Sequence, residues 1–253
     1  MGKYNELLKH LALREIKSRY KQSFLGFFWV ILNPFFQMLT MSFVFSFIIK
    51  FQTPGVPYPV FIFTGLLPWF FLSNSTTSAT DAFVGNSDLI KKIYFPREIF
   101  VLATVTAKMM DFLLAFLLLL GMLVFYDLPF NIYTILFIPI FAIQFAFVYA
   151  LSLLLATLNL FYRDIKYLFN LVLQLWFYVT PIIYATEFFP EKWRWIFKLN
   201  PMSVFINAYR QVLINGSAPN MSSLLIAIGM SAGMLIVAYY IFRKLEGSFA
   251  DVV

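Results

Sequence analysis

Lys108 and Asp111 stand three residues apart inside a long apolar run, where helical spacing lets them meet on one face. Ionisable side chains at membrane depth are costly and are candidates for function by default. The run from Ile99 to Tyr126 would extend about 42 Å as a helix, longer than a hydrocarbon core, so Lys108 is expected at the inner interface as half of a structural ion pair. Other chemistry is scarce. Acid–base transfer of a glycosyl or acyl group needs clustered carboxylates or histidines at a membrane surface, whereas Asp81, Asp88, Glu98 and Asp164 are separated by apolar runs and His10 is the single histidine. With no cysteine, thiolate metal sites and disulfide frameworks are excluded. The sequence has no G-x-x-x-x-G-K-[ST] phosphate loop, so nucleotide hydrolysis by the usual cradle has to come from elsewhere, and no cofactor is expected in this chain.

The elements that carry these residues are set by composition. At 61% hydrophobic and 12% charged, the chain lies outside the soluble range and predicts an all-α polytopic membrane protein forming a single domain over residues 1–253. Six spans are expected, at Phe27–Ile49, Tyr58–Thr80, Ile99–Tyr126, Ile132–Phe161, Tyr167–Ala185 and Ser222–Phe242. The basic residues of the N-terminal segment, of Lys91, Lys92 and Arg97, of Arg163 and Lys166, and of Arg243 and Lys244 then share one side. The other side holds the smaller set Lys50, Lys192, Arg194, Lys198 and Arg210. This asymmetry places both termini in the cytoplasm and accounts for the net charge of +7 without nucleic acid. About twenty polar residues precede the first apolar run, which predicts a retained N-terminus in place of a cleaved signal peptide.

Three shorter elements are expected between and before the spans. Tyr4–Ser23 puts Lys3, Arg14, Lys17 and Lys21 on one helical face and Tyr4, Leu8, Leu11 and Ala12 on another, with Arg19 adding charge, and predicts an interface helix on the inner leaflet, whether as a lipid anchor or as a docking element. In the stretch 86–98, Asn86-Ser87-Asp88 offers N-cap chemistry and Pro96 a stop, predicting a small cytoplasmic helix that spacing alone does not distinguish from an ordinary loop helix. Within 191–214, Glu191–Leu199 and Met202–Ile214 each predict a short outer helix, the second behind Asn200-Pro201 as N-cap and N1.

Five stretches in this order carry a resemblance: LREIKSRYKQSFLGFFWVILNP (Leu13–Pro34), NSDLIKKIYFPREI (Asn86–Ile99), LNLFYRDIKYL (Leu158–Leu168), TPIIY (Thr180–Tyr184) and LNPMSVFINAYRQVL (Leu199–Leu213). Together they resemble the type-2 ABC exporter permeases that move lipid-linked polysaccharide such as O-antigen, capsule or teichoic acid. The resemblance implies a homodimer in the bacterial cytoplasmic membrane, paired with two copies of an ATPase subunit that holds ATP and Mg. It implies a coupling helix at the positions Asp88, Leu89, Ile90, Lys91, Tyr94, Pro96, Arg97 and Glu98, and re-entrant outer helices at 191–214. Export of a drug or simple lipid is the alternative within the same class, and a membrane glycosyl or acyl transferase the alternative outside it.

An exporter of a hydrophilic polymer needs a path of weak, repeated sites, because one tight site would stop the chain. Of the 33 Phe, 14 Tyr and 5 Trp, most Phe serve as apolar filler. Trp29, Trp69, Trp176, Tyr178 and Tyr184 combine a flat face with a polar edge and are the candidates for the path, with interfacial anchoring as the competing reading.

Overall fold

The computed structural model describes residues 2–20, 26–50, 55–92, 95–128 and 130–252, and the regular structure among them is entirely helical. In chain order the helices are α1 (Gly2–Tyr20), α2 (Trp29–Ser42, running on as a π-helical stretch Phe43–Ile48), α3 (Tyr58–Thr80), α4 (Ser87–Lys92), α5 (Glu98–Phe125), α6 (Phe137–Phe161, entered through the 3-10 turn Ile132–Leu136), α7 (Ile165–Val179), α8 (Trp195–Leu199), α9 (Pro201–Leu213), α10 (Met221–Glu246) and α11 (Phe249–Val252). By length and composition, four stretches among the described residues qualify as membrane spans: Trp29–Ile48, Glu98–Phe125, Ile132–Phe161 and Met221–Glu246.

The helix at the centre of the bundle is α3, packed by α2, α5, α6, α7 and α9. Val60, Ile62, Phe63, Leu72 and Ala79 are fully buried along it. Its second half is rich in hydroxyls, which lowers its hydropathy but leaves few polar groups stranded. Thr64 donates to Val60 O (2.8 Å), Thr76 to Leu72 O (2.8 Å) and Thr80 to Thr76 O (2.7 Å). Back-bonding onto the preceding turn satisfies these three threonine hydroxyls inside the helix that carries them, which helps a Ser/Thr-rich helix sit in a dry interior. Gln144 of α6 adds an inter-helix tie, its amide donating to Pro68 O (2.9 Å) and its oxygen accepting from Tyr209 of α9 (2.7 Å). On the far side α10 lies along α6, with Ala227, Ser231 and Ala238 buried at the contact and Ser231 reaching Ile143 O (3.3 Å). Small side chains allow this close approach.

Two sequence expectations change. The helix expected over Tyr167–Ala185 stops at Val179, because Pro181 holds Thr180 extended (φ −89, ψ 133). At 15 residues α7 is about 22 Å long, shorter than a hydrocarbon core. Asn86 does not cap α4. Its amide donates to Ala82 O (2.8 Å) and its oxygen accepts from Arg14 (2.6 Å), so it closes the end of α3 and ties α1 to it. The outer stretch follows expectation in part: α9 starts at Pro201 with Asn200 accepting from Met202 N (3.1 Å), while 191–199 divides into a 3-10 turn Glu191–Trp193 and the short α8.

Candidate translocation path and docking elements

Polar residues that helix periodicity places on one stripe of α2, namely Asn33, Gln37 and Thr40, are exposed, as are apolar neighbours such as Phe36, Leu39 and Phe43. Gln37 donates to Asn33 Oδ1 (3.0 Å) and Thr40 to Phe36 O (2.9 Å). Facing them, α3 presents Ser73 and Asn74, and α5 presents Lys108 and Asp111. Together with Trp29, Trp69 and Phe70, the residues Asn33, Gln37, Ser73, Asn74, Lys108 and Asp111 line one cleft of about 490 Å³. The stripe continues onto α7, where Thr77 of α3 reaches Asn170 Oδ1 (3.5 Å), and ends at the ion pair of Asp81 with Lys166. Amides and hydroxyls along three apolar helices are expensive against lipid. Lining a wet cavity or a second protein surface removes that cost.

Lys108 and Asp111 do meet, at 4.0 Å, with side chains 13% and 21% exposed. Lys108 lies about 15 Å and Asp111 about 20 Å along α5 from Glu98, and both form part of the cleft wall. The amides Asn33, Gln37, Asn74 and Asn170 are absent from the candidates that sequence reasoning selects. Their signal is available, since Asn33 and Gln37 recur at a spacing of four within an apolar run.

Of the aromatic candidates, Trp29 is 49% and Tyr178 is 70% exposed. Trp69 is buried, its ring edge-on to Trp176 (centroids 5.9 Å, 90°) and to Phe177 (5.5 Å). Trp176 donates from Nε1 to Asn200 Oδ1 (2.9 Å), and Asn200 in turn donates to Thr180 Oγ1 (3.0 Å) while capping α9. That chain braces α7 against α8 and α9. Tyr184 donates to Tyr178 O (2.9 Å) and packs on Phe189. The structure therefore brings Trp29 and Trp69 to the same cleft and Trp69 against Trp176, and leaves Tyr178 and Tyr184 as a separate pair.

At the opposite end, Asp88 and Lys91 of α4 are exposed, Leu89 is half-buried and Ile90 is buried at 4% exposure, so α4 turns its apolar side into its own chain. Pro96 precedes α5. Arg97 donates to Glu246 O at the end of α10 and lies 5.4 Å over the Phe249 ring, and Glu98 accepts from Tyr239 (3.0 Å) and pairs with Arg243 (3.6 Å). Phe249 completes an aromatic cluster with Phe83 (5.1 Å) and Phe242 (5.7 Å). Arg97 and Glu98 are thus joined to the C-terminal segment. In α1, Leu11 and Ala12 are buried, and the helix packs on α5 while Arg14 and Lys17 stay exposed. Tyr94 and Lys21 lie outside the described residues, as does the side chain of Arg19.

Residues 6–214 match the family model described as ABC-2 type transporter. An O-antigen export system permease protein RfbA of Klebsiella pneumoniae is 34% identical over 253 residues, covering 100% of this chain and 96% of that protein, and an RfbA of Myxococcus xanthus is 31% identical over 250 residues, covering 98% and 95%. A polysialic acid transport protein KpsM of Escherichia coli is 34% identical over 79 residues, 31% of each chain. With the family model covering most of the length and full-length relatives above thirty percent identity, the chain belongs to the ABC-2 type transporter membrane family.

Proposed function

We propose that this chain is the membrane subunit of an ATP-driven exporter that moves a lipid-linked polysaccharide of the O-antigen kind across the bacterial cytoplasmic membrane. It works as a homodimer with two copies of a separate ATPase that binds ATP and Mg. In this reading α2, α3, α5, α6 and α10 are spans, α7 with the extended stretch on to Ala185 makes the remaining crossing of six, both termini are cytoplasmic, and α8 and α9 form the outer re-entrant pair. The observation that carries the proposal is the full-length likeness to O-antigen export permeases, which runs through the helices that build the amide and aromatic cleft. Such a cleft suits a polymer of hydroxyl groups, since amides exchange hydrogen bonds with successive sugars and rings stack on their C–H faces. Weak sites in series let the chain advance.

The α4 segment and the exposed Arg14 and Lys17 of α1 form the surface offered to the ATPase. Arg97 and Glu98 act there by positioning, through the C-terminal contacts that hold them. The test is co-purification with the phosphate-loop ATPase encoded beside it, with ATP hydrolysis assayed with and without candidate glycolipids and surface polysaccharide measured in a deletion strain. Stable assembly, glycolipid-stimulated hydrolysis and loss of surface polymer are expected. An assembled complex whose deletion leaves surface polysaccharide intact would redirect the reading to drug or simple lipid export, and robust hydrolysis by this chain alone would overturn it.

A further inference from the structure

A second cleft, of about 510 Å³, opens among α8, α9 and the start of α10, away from the amide path. Its wall carries Arg194, Lys198 and Arg210, and no carboxylate is among the described residues that line it. Arg210 is 7% exposed and fixed by bonds to Pro181 O (2.7 Å) and Ile182 O (2.8 Å), so its charge is a permanent part of the wall. The neighbouring amides add donors. Gln211 Oε1 accepts from Asn220 N (3.0 Å), and Asn220 Oδ1 accepts from Ser223 N (3.2 Å). A backbone N–H can only donate, so the oxygens of Gln211 and Asn220 are the engaged ends, and both side chains line the cleft with NH2 donors to offer. A wall of cations and amide donors is matched by a multivalent oxyanion. Beside these donors, Val56, Phe61, Phe197 and Ile214 supply an apolar flank that an inorganic anion would leave unused.

We infer that this cleft binds a phosphate ester, the phosphoryl oxygens on Lys198, Gln211 and Asn220 within the field of Arg210 and the ester chain along the apolar flank. Its position on the face opposite the termini rests on the topology proposed above, while its ligand chemistry does not. The test uses the full chain in a phosphate-free maltoside detergent, with farnesyl pyrophosphate, inorganic pyrophosphate and farnesol as probes in a calorimetric titration. Farnesyl pyrophosphate is expected to bind, more weakly as salt rises, and farnesol to bind at least about tenfold more weakly. Lys198→Gln should weaken the pyrophosphate ester about tenfold, the worth of one charge-assisted hydrogen bond, and Lys198→Arg should restore most of it. Gln211→Glu keeps the acceptor for Asn220 N yet puts a like charge beside the anion, and should weaken binding by more than tenfold while leaving the melting temperature in place.

Inorganic pyrophosphate binding as tightly as the prenyl ester would overturn the ester assignment and leave a site for soluble phosphates, whereas weaker binding supports a lipid phosphate. Equal affinity for farnesol, or unchanged affinity in both Lys198→Gln and Gln211→Glu, would overturn the inference. Neither ATPase nor polysaccharide enters this assay, so its failure leaves the export reading standing, and failure of export leaves the cleft standing.

Discussion

Arg210→Met removes the guanidinium that joins α9 to the segment following α7. Two bonds to the carbonyls of Pro181 and Ile182 are lost, and the cation no longer stacks 3.6 Å above Phe61. Hydrogen bonds to charged groups contribute about 1.5–3 kcal/mol each, and a desolvated cation–π contact adds about 2 kcal/mol. Against this stands the several kcal/mol needed to desolvate the guanidinium, which Met does not incur, so the net loss is about 3 kcal/mol. For a chain of this size that corresponds to a fall of about 6–12 °C in melting temperature, read by thermal unfolding in detergent. Arg210→Lys, whose ammonium lacks the fork needed to hold both carbonyls, should lose about half as much.

Gly65 supplies an independent check on the same joint, because a Cβ there would lie 3.1 Å from Arg210 Nη2 and 3.3 Å from the Cα of Ile182. Backbone at that distance has to move for a larger side chain, so Gly65→Val should lower stability through overpacking by about 1–3 kcal/mol. A melting temperature within about 2 °C of the parent for Arg210→Met would refute the account of the joint, since that shift corresponds to less than about 1 kcal/mol.

The two tryptophans of the amide cleft should separate when replaced. Trp69→Leu leaves a gap against Trp176 and Phe177 and should lower the melting temperature, at a cost of about 2–3 kcal/mol, whereas Trp29→Leu should leave it unchanged and lower surface polysaccharide at matched protein level. Equal thermal effects of the two changes would contradict the burial pattern. Arg97→Ala frees the end of α10 and the Phe249 cluster, so hydrogen exchange should rise across 239–252 before assembly with the ATPase weakens. Weakened assembly with unchanged exchange would mean that Arg97 touches the partner directly.

Length and hydropathy made α2, α5, α6 and α10 legible, because a continuous apolar run of about twenty residues has few other uses. The second expected span, α3, needs more than hydropathy. Its Ser and Thr content dilutes the apolar signal, and only the hydroxyl bonds back to Val60, Leu72 and Thr76 explain why a helix of that composition occupies the centre of the bundle. The end of α7 is legible in Pro181, since a proline constrains the residue before it. Trp69 illustrates a different limit. Its type suits both a sugar platform and a packed core, and its neighbours come from α7, far along the chain, so no local pattern decides between them. Arg97 and Glu98 are similar, for their charges suggest a partner surface, and no local pattern shows that the fold also brings Phe249, Tyr239 and Arg243 against them. The amides could have been found first: a polar side chain in a lipid-length run has to be satisfied by something other than lipid, and Asn33 with Gln37 one turn later predicts a wet or proteinaceous face on α2 without any coordinates. A periodic search for amides within apolar runs therefore locates a polar path more reliably than a search for aromatic rings, because rings are at home in lipid, at the interface and in the core, whereas an amide in lipid is not.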